Sequence, residues 1–359
     1  METNAQELIK DSIKNLEKKD FRIFFFVMDT KGNAVASLAN IYEHARILRE
    51  LGYDAQILHE KNDYASVAPI LGEVYAQIPH VSAEGQQLKV TTHDFIVIPE
   101  IFSNVMEQTL KLPSKRIVFV NAYDYIFEML MPGKHWSEYG ITDVITTGER
   151  QKEYIDDLFL KKLNVEIVPV SIPEYFKPSE KPKKPIIAIL SRDQRDLVKI
   201  YKKFYLKYPH LKWVSFRDMR GLSREAFASS LAECCLAIWV DEISGFGTFP
   251  IEAMKCDVPV LGLVPNLTPE WMEDKNGLWT HEALKIADLA ANYFQAWLED
   301  SEPQELYSEM SKLKNFYTVE KQKEKIKEVY GKIIDNRIKE LKSVLPVEVE
   351  IENNVEIEK

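Results

Sequence analysis

Apolar residues along the chain gather in short runs, separated by longer segments in which they recur at every third or fourth position, the pattern of strands alternating with helices. The first run, 21–28, ends in the polar turn Asp29-Thr-Lys-Gly-Asn33. Beyond it Leu38, Ile41, Ala45 and Leu48 share one helical face between Val35 and Leu51, and Gly52 stands where a helix closes. Ala55-Gln-Ile-Leu58 predicts a second strand, so the chain opens with the strand, helix, strand unit that builds parallel sheets. Phe95–Ile98, Arg116–Val120, Asp143–Thr146 and Val165–Val168 predict further short buried strands. Together they describe an α/β, doubly wound sheet.

The pattern then breaks. Five prolines (169, 173, 178, 182 and 185) fall between Pro169 and Pro185 together with Lys181, Lys183 and Lys184, the composition of a stiff exposed linker. A second cycle follows, with strands predicted at Pro185–Leu190, Leu211–Ser215, Leu236–Val240 and Pro259–Gly262, and helices at Ser223-Arg-Glu-Ala-Phe-Ala and Ile286-Ala-Asp-Leu-Ala-Ala. The predicted division is a Rossmann-like domain over 1–172, a Pro-rich linker over 173–185, a second Rossmann-like domain with a closing helix over 186–335, and an acidic tail over 336–359. Two such sheets face each other across a cleft, and ligands bind at the carboxyl ends of the strands. Ahead of the first strand, Ile9, Ile13 and Leu16 mark one face of an amphipathic segment.

Composition narrows the class. Of 359 residues 45% are hydrophobic and 28% charged, the balance of a soluble globular protein. A net charge of -10 argues against nucleic acid as the main partner, since phosphate binding relies on clustered Lys and Arg. The three cysteines, Cys234, Cys235 and Cys256, cannot make a disulfide framework and read as free thiols of a reducing compartment, so the expected location is cytoplasmic. No apolar run approaches the ~18 residues of a membrane span. Without Asp-x-Asp, His-Glu-x-x-His or Cys-x-x-Cys no metal site is expected, and His44, on the apolar side of its helix, reads as a satisfied core residue.

The chemistry concentrates at Asp241-Glu-Ile-Ser-Gly-Phe-Gly-Thr-Phe-Pro-Ile-Glu252. A strand ends near Val240, and Pro250 suits the first turn of a helix, where its missing N–H is an orphan anyway. Phe249 then falls at the cap position, where it cannot serve, leaving the first N–H groups uncapped unless Thr248 turns to them. An uncapped helix start beside Gly245 and Gly247 is an anion site, and Glu252, one turn in, can accept from vicinal hydroxyls. Diphosphate at the helix start and ribose on Glu252 describe a nucleotide site. An ordinary glycine turn with Glu252 as a first-turn acid explains the same residues. A dinucleotide fingerprint fits less well, because Pro250 replaces its third glycine.

This stretch resembles the signature of the retaining glycosyltransferases of family 4, the group 1 transferases of GT-B fold, E-G-F-G-x-x-x-x-E-A-M-x-x-G-x-P-V. Pro269-Glu-Trp-Met-Glu-Asp-Lys-Asn-Gly-Leu-Trp279, the segment from Phe316 to Tyr330, Ile189-Leu-Ser-Arg192 and Val168–Pro173 resemble further family segments, so the likeness spans residues 21–335. It implies transfer of a hexose from a UDP- or GDP-linked sugar to an acceptor hydroxyl with retention and without a metal or other cofactor. The first domain would face an acceptor, whether glycan, lipid-linked glycan, protein or small molecule. Arg192 and the nearby Arg195 are assigned to the leaving diphosphate. Gly32, Gly245, Phe246, Gly247, Thr248, Phe249 and Glu252 are assigned to donor binding. Departures lie on the sugar side: Ser244 stands in the catalytic position of the family's first glutamate, Leu197 where it has a lysine, Asn121 where a histidine is common, and Asp257 in place of glycine. A degenerate GT-B protein that binds a nucleotide or partner without turnover is the rival these departures motivate.

Overall fold

The computed structural model describes residues 16–86, 88–191, 194–243 and 245–343. The first half contains β1 (Arg22–Phe26), α1 (Ala36–Glu50), β2 (Asp54–His59), α2 (Ala68–Leu71), β3 (His80–Ser82), β4 (Asp94–Pro99), α3 (Ser103–Gln108), β5 (Lys115–Val120), α4 (Asp124–Met129), β6 (Asp143–Thr146), α5 (Glu149–Leu158) and β7 (Asn164–Ile167). Its seven strands are parallel in the order β3-β2-β1-β4-β5-β6-β7, with Phe25 of β1 level with Ile57 and Val97 on either side. Side chains alternate across a strand, so Ile23 and Phe25 enter the core on one face while Phe24 and Phe26 enter the core on the other. Burial on both faces is why these strands read as unbroken apolar runs.

The second half contains β8 (Lys184–Ser191), α6 (Gln194–Lys207), β9 (Ser215–Asp218), α7 (Arg224–Ala232), β10 (Cys234–Val240), α8 (Thr248–Lys255), β11 (Val260–Leu263), β12 (Leu278–Thr280), α9 (Ile286–Leu298), α10 (Gln304–Leu313) and α11 (Val319–Ser343). Its five strands are again parallel, in the order β12-β11-β10-β8-β9, with β10 buried along its whole length. Among the described residues no helix is long and apolar enough to cross a membrane. The cysteines are free and buried, and burial pushes Cys234 up to about 11 and Cys235 and Cys256 up to about 12.

Three features depart from the pattern read along the chain. The strand expected at 211–215 is a turn, because Pro209 opens a short helical turn and Leu211 and Val214 plug the core; β9 begins only at Ser215. The proline-rich segment is exposed only in part: Val170, Ile172 and Phe176 are buried, since the chain drops apolar side chains into the second core as it crosses. The closing helix α11 returns to the first half, where Ile326, Val329, Tyr330, Ile333 and Ile334 complete the core beneath α1. Residues 336–343 continue that helix, and 344–359 lie outside the described residues, as do Ile9 and Ile13.

Candidate active site

The loop that follows β10 reaches the first half directly. A Cβ built on Gly245 would lie 1.5 Å from the carbonyl oxygen of Asn121, at the carboxyl end of β5, so the close approach that glycine permits here is to backbone of the opposite sheet. Gly247 is the N-cap of α8 with φ 73°, and among the described residues no side chain caps the helix. The helix therefore starts at Thr248, earlier than Pro250 suggested; proline is tolerated as the third residue because that N–H is still an orphan. The expectation that Phe249 occupies the cap is corrected accordingly. Its ring packs on Phe227 and is 3% exposed, so Phe249 can offer a donor only its backbone. Phe246 is likewise buried, its ring against Tyr317 and its carbonyl accepting from Trp271 Nε1 at 2.6 Å. Thr248 N–H and Phe249 N–H, uncapped at the positive end of the helix, are suited to an anion.

Glu252 lies one turn on and is only 2% exposed. A buried carboxylate requires a partner, and Arg224 Nη2, at the first position of α7, donates to its Oε1 at 2.5 Å. The guanidinium carbon sits 4.9 Å from the Phe176 ring centre and 5.5 Å from that of Phe227. Burial works against the charge on Arg224, but Glu252 outweighs it and holds the pKa above the ordinary guanidinium range. Tyr175, from the crossing segment, feels the charges of Arg224, Glu252 and Glu43 of α1, while Tyr75 donates to Glu43 Oε2 at 2.8 Å. Glu252 thus stands in an ion pair that no local spacing announces.

In the first half, Glu100 follows β4 and is buried. Its Oε1 accepts from Ala122 N–H at 2.8 Å, and its Oε2 is buried without a partner among the described residues. Burial pushes this carboxyl up to about 7 against the pull of the Ala122 and Asn121 N–H groups. Asn121 Oδ1 accepts from Asn40 Nδ2 (3.3 Å), Asn40 Oδ1 from Gln322 Nε2 (3.4 Å), and Gln322 Oε1 from Ser171 Oγ (2.6 Å). This buried chain joins the β5 loop to α1, α11 and the crossing segment. Glu270, beside Trp271, accepts from Glu149 N–H at the start of α5 (3.3 Å), a second link between the halves.

Arg192 and Ser244 lie outside the described residues. Arg195 is exposed on the first turn of α6, Leu197 is buried in the second core, and the exposed Lys199 pairs with Asp196. Gly32 lies in the turn after β1 with φ 77°. Asp257 has φ 56° just past the end of α8, the left-handed position that accounts for a glycine in the resembling signature, and it pairs with Lys314. His44 is in the core as expected but is not satisfied: both ring nitrogens lack partners among the described residues. No group of three or more His, Cys, Asp or Glu side chains among the described residues could hold a metal ion. Arg224, Tyr175 and Glu100 were not singled out from the sequence. One signal was present for Arg224, since a cation in the first turn of a helix opposes the dipole and implies a partner from elsewhere.

No family model matches the chain. It is 25% identical over 309 residues to an alpha-1,6-glucosyltransferase of Actinobacillus pleuropneumoniae serotype 7, covering 82% of this chain and 90% of that protein. In structure it is similar to the pneumococcal O-GlcNAc transferase GtfA in complex with UDP and GlcNAc (TM-score 0.64, 10% identity, 88% of this chain and 99% of that one). It is also similar to sucrose-phosphate synthase from Thermosynechococcus elongatus (TM-score 0.63, 12% identity, 88% and 100%) and to Anabaena HepE in complex with UDP and glucose (TM-score 0.54, 13% identity, 87% and 99%). With two parallel sheets meeting at their carboxyl-end loops, and this structural likeness along nearly the whole chain, the fold is that of the GT-B class.

Proposed function

We propose that the chain is a glycosyltransferase that moves a hexose from a nucleoside diphosphate sugar to an acceptor hydroxyl, with retention and without a bound metal. The observation that carries this reading is the likeness to an alpha-1,6-glucosyltransferase across both halves, acceptor side as well as donor side. UDP-glucose is accordingly the first donor to test. In the proposed reaction the bond from the sugar's anomeric carbon to the phosphate oxygen breaks, its electrons leaving with the diphosphate. The acceptor oxygen bonds the same carbon from the same face, and its proton passes to the departing phosphate. Negative charge grows on the diphosphate, so the uncapped start of α8 and the basic residues after β8, Arg195 and Arg192, would stabilise the transition state. Glu252 would hold the ribose.

The test is a panel of UDP-, GDP- and ADP-hexoses with hydroxyl acceptors in EDTA, the product's anomeric configuration being read by NMR. The expected result is one accepted nucleotide, preserved configuration and turnover that survives the chelator. Inverted product or loss of activity in EDTA would overturn the corresponding part. The second reading, nucleotide binding without turnover, is favoured by Leu197, which turns into the core where the resembling family has a lysine. Tight nucleotide binding with no transfer to any acceptor would select it.

A further inference from the structure

Within the donor site, the pair between Arg224 and Glu252 stands out because of what surrounds it. Glu252 is nearly closed to solvent, and its Oε1 is committed to Arg224 at 2.5 Å. The guanidinium is itself held on its sides by the Phe176 and Phe227 rings. A planar cation gripped in this way cannot follow a wandering carboxylate; it sets the plane in which the carboxylate lies.

We propose that Arg224 is a positioning residue of the donor site: it clamps one oxygen of Glu252 and so presents the other to the ribose hydroxyls. The inference rests on the reading of Glu252 as the ribose acceptor. Arg224 itself touches neither the sugar nor the diphosphate, so its effect passes through Glu252 and the ribose hydroxyls.

The decisive measurement is calorimetry on the full chain with UDP and with 2′,3′-dideoxy-UDP, for the wild type, Arg224→Met, Arg224→Lys, Glu252→Gln and the double variant Arg224→Met/Glu252→Gln. Arg224→Met should weaken UDP binding roughly 10–100-fold, the scale on which a hydrogen bond to a charged group is lost. It should leave dideoxy-UDP within about threefold, because the contact Arg224 organises is already missing from that ligand. Arg224→Lys should fall between the wild type and Met, since it keeps the charge and loses the planar fork. If Arg224→Met folds poorly because Glu252 is left buried and unpaired, the neutral background answers the same question. There, adding Arg224→Met to Glu252→Gln should change UDP affinity by less than about threefold. Equal weakening of UDP and dideoxy-UDP, or a tenfold further loss in the Glu252→Gln background, would overturn the inference and leave the nucleotide site standing. Failure of the wild type to bind UDP, GDP or ADP would overturn both.

Discussion

Glu100 and His44 are two titratable side chains enclosed in the first half, and burial favours the neutral form of each: Glu100 is pushed up to about 7 and His44 down to about 3. For Glu100 the sign follows from proton linkage. The native carboxyl keeps its proton at a pH where the unfolded chain, with an ordinary value of 4.5, has released it. Its contribution to stability is therefore fully present below pH 4.5 and is lost as pH rises through about 7. Glu100→Gln removes this titration while keeping a carbonyl for the Ala122 N–H. Urea denaturation of both forms should give similar stabilities near pH 4.5, with the Gln form gaining on the wild type by roughly 1–3 kcal/mol by pH 8. A difference that does not change with pH would show that Glu100 is ionised in the fold. His44 runs the other way: its contribution is present above the ordinary 6.5 and is lost as pH falls towards 3.

At the scale of elements, the start of α8 depends on one backbone conformation. Gly247→Ala would hold a Cβ at φ 73° and place it 3.0–3.1 Å from the rings of Trp239 and Trp271. A destabilisation of roughly 1–3 kcal/mol is expected from the left-handed backbone and the displaced indoles. An unchanged denaturation midpoint would mean that the helix can start elsewhere. The same helix shows how far the sequence could be read. Its existence was legible from a glycine break followed by a helical run, but its first residue was not, because Pro250 is acceptable at more than one position of the first turn. The buried strands β1, β4, β5 and β10 were legible because burial on both faces leaves unbroken apolar runs. The short edge strands β3 and β12 were not, since His80–Ser82 and Leu278–Thr280 are half-buried and owe their form to a neighbour. Likewise Ile326, Val329 and Ile333 announce an amphipathic helix without saying which sheet it covers. The partnership of Arg224 with Glu252 joins the helices that precede and follow β10 in the chain, and only tertiary structure brings it about.

At the scale of the whole molecule, the two halves touch where Gly245 meets Asn121 and where Glu270 meets the start of α5. Gly245→Ala would put a methyl group 1.5 Å from the Asn121 carbonyl oxygen, so the loops cannot keep their present separation. Small-angle scattering should show a larger radius of gyration for the Ala variant than for the wild type; superimposable curves would mean that the contact yields locally. The chain passes between the halves twice, and the two passages lie side by side: Ile172 N–H donates to Tyr317 O at 2.9 Å, and Ser171 reaches Gln322 just beyond. In covalent terms the second half is an insertion, leaving and re-entering the first at nearly one point. Sliding one sheet along the other would drag both passages at once and break the bond between them, whereas rotation about that point disturbs neither. The soft coordinate of this molecule is therefore an angle, and the distance between Gly245 and Asn121 reads it out.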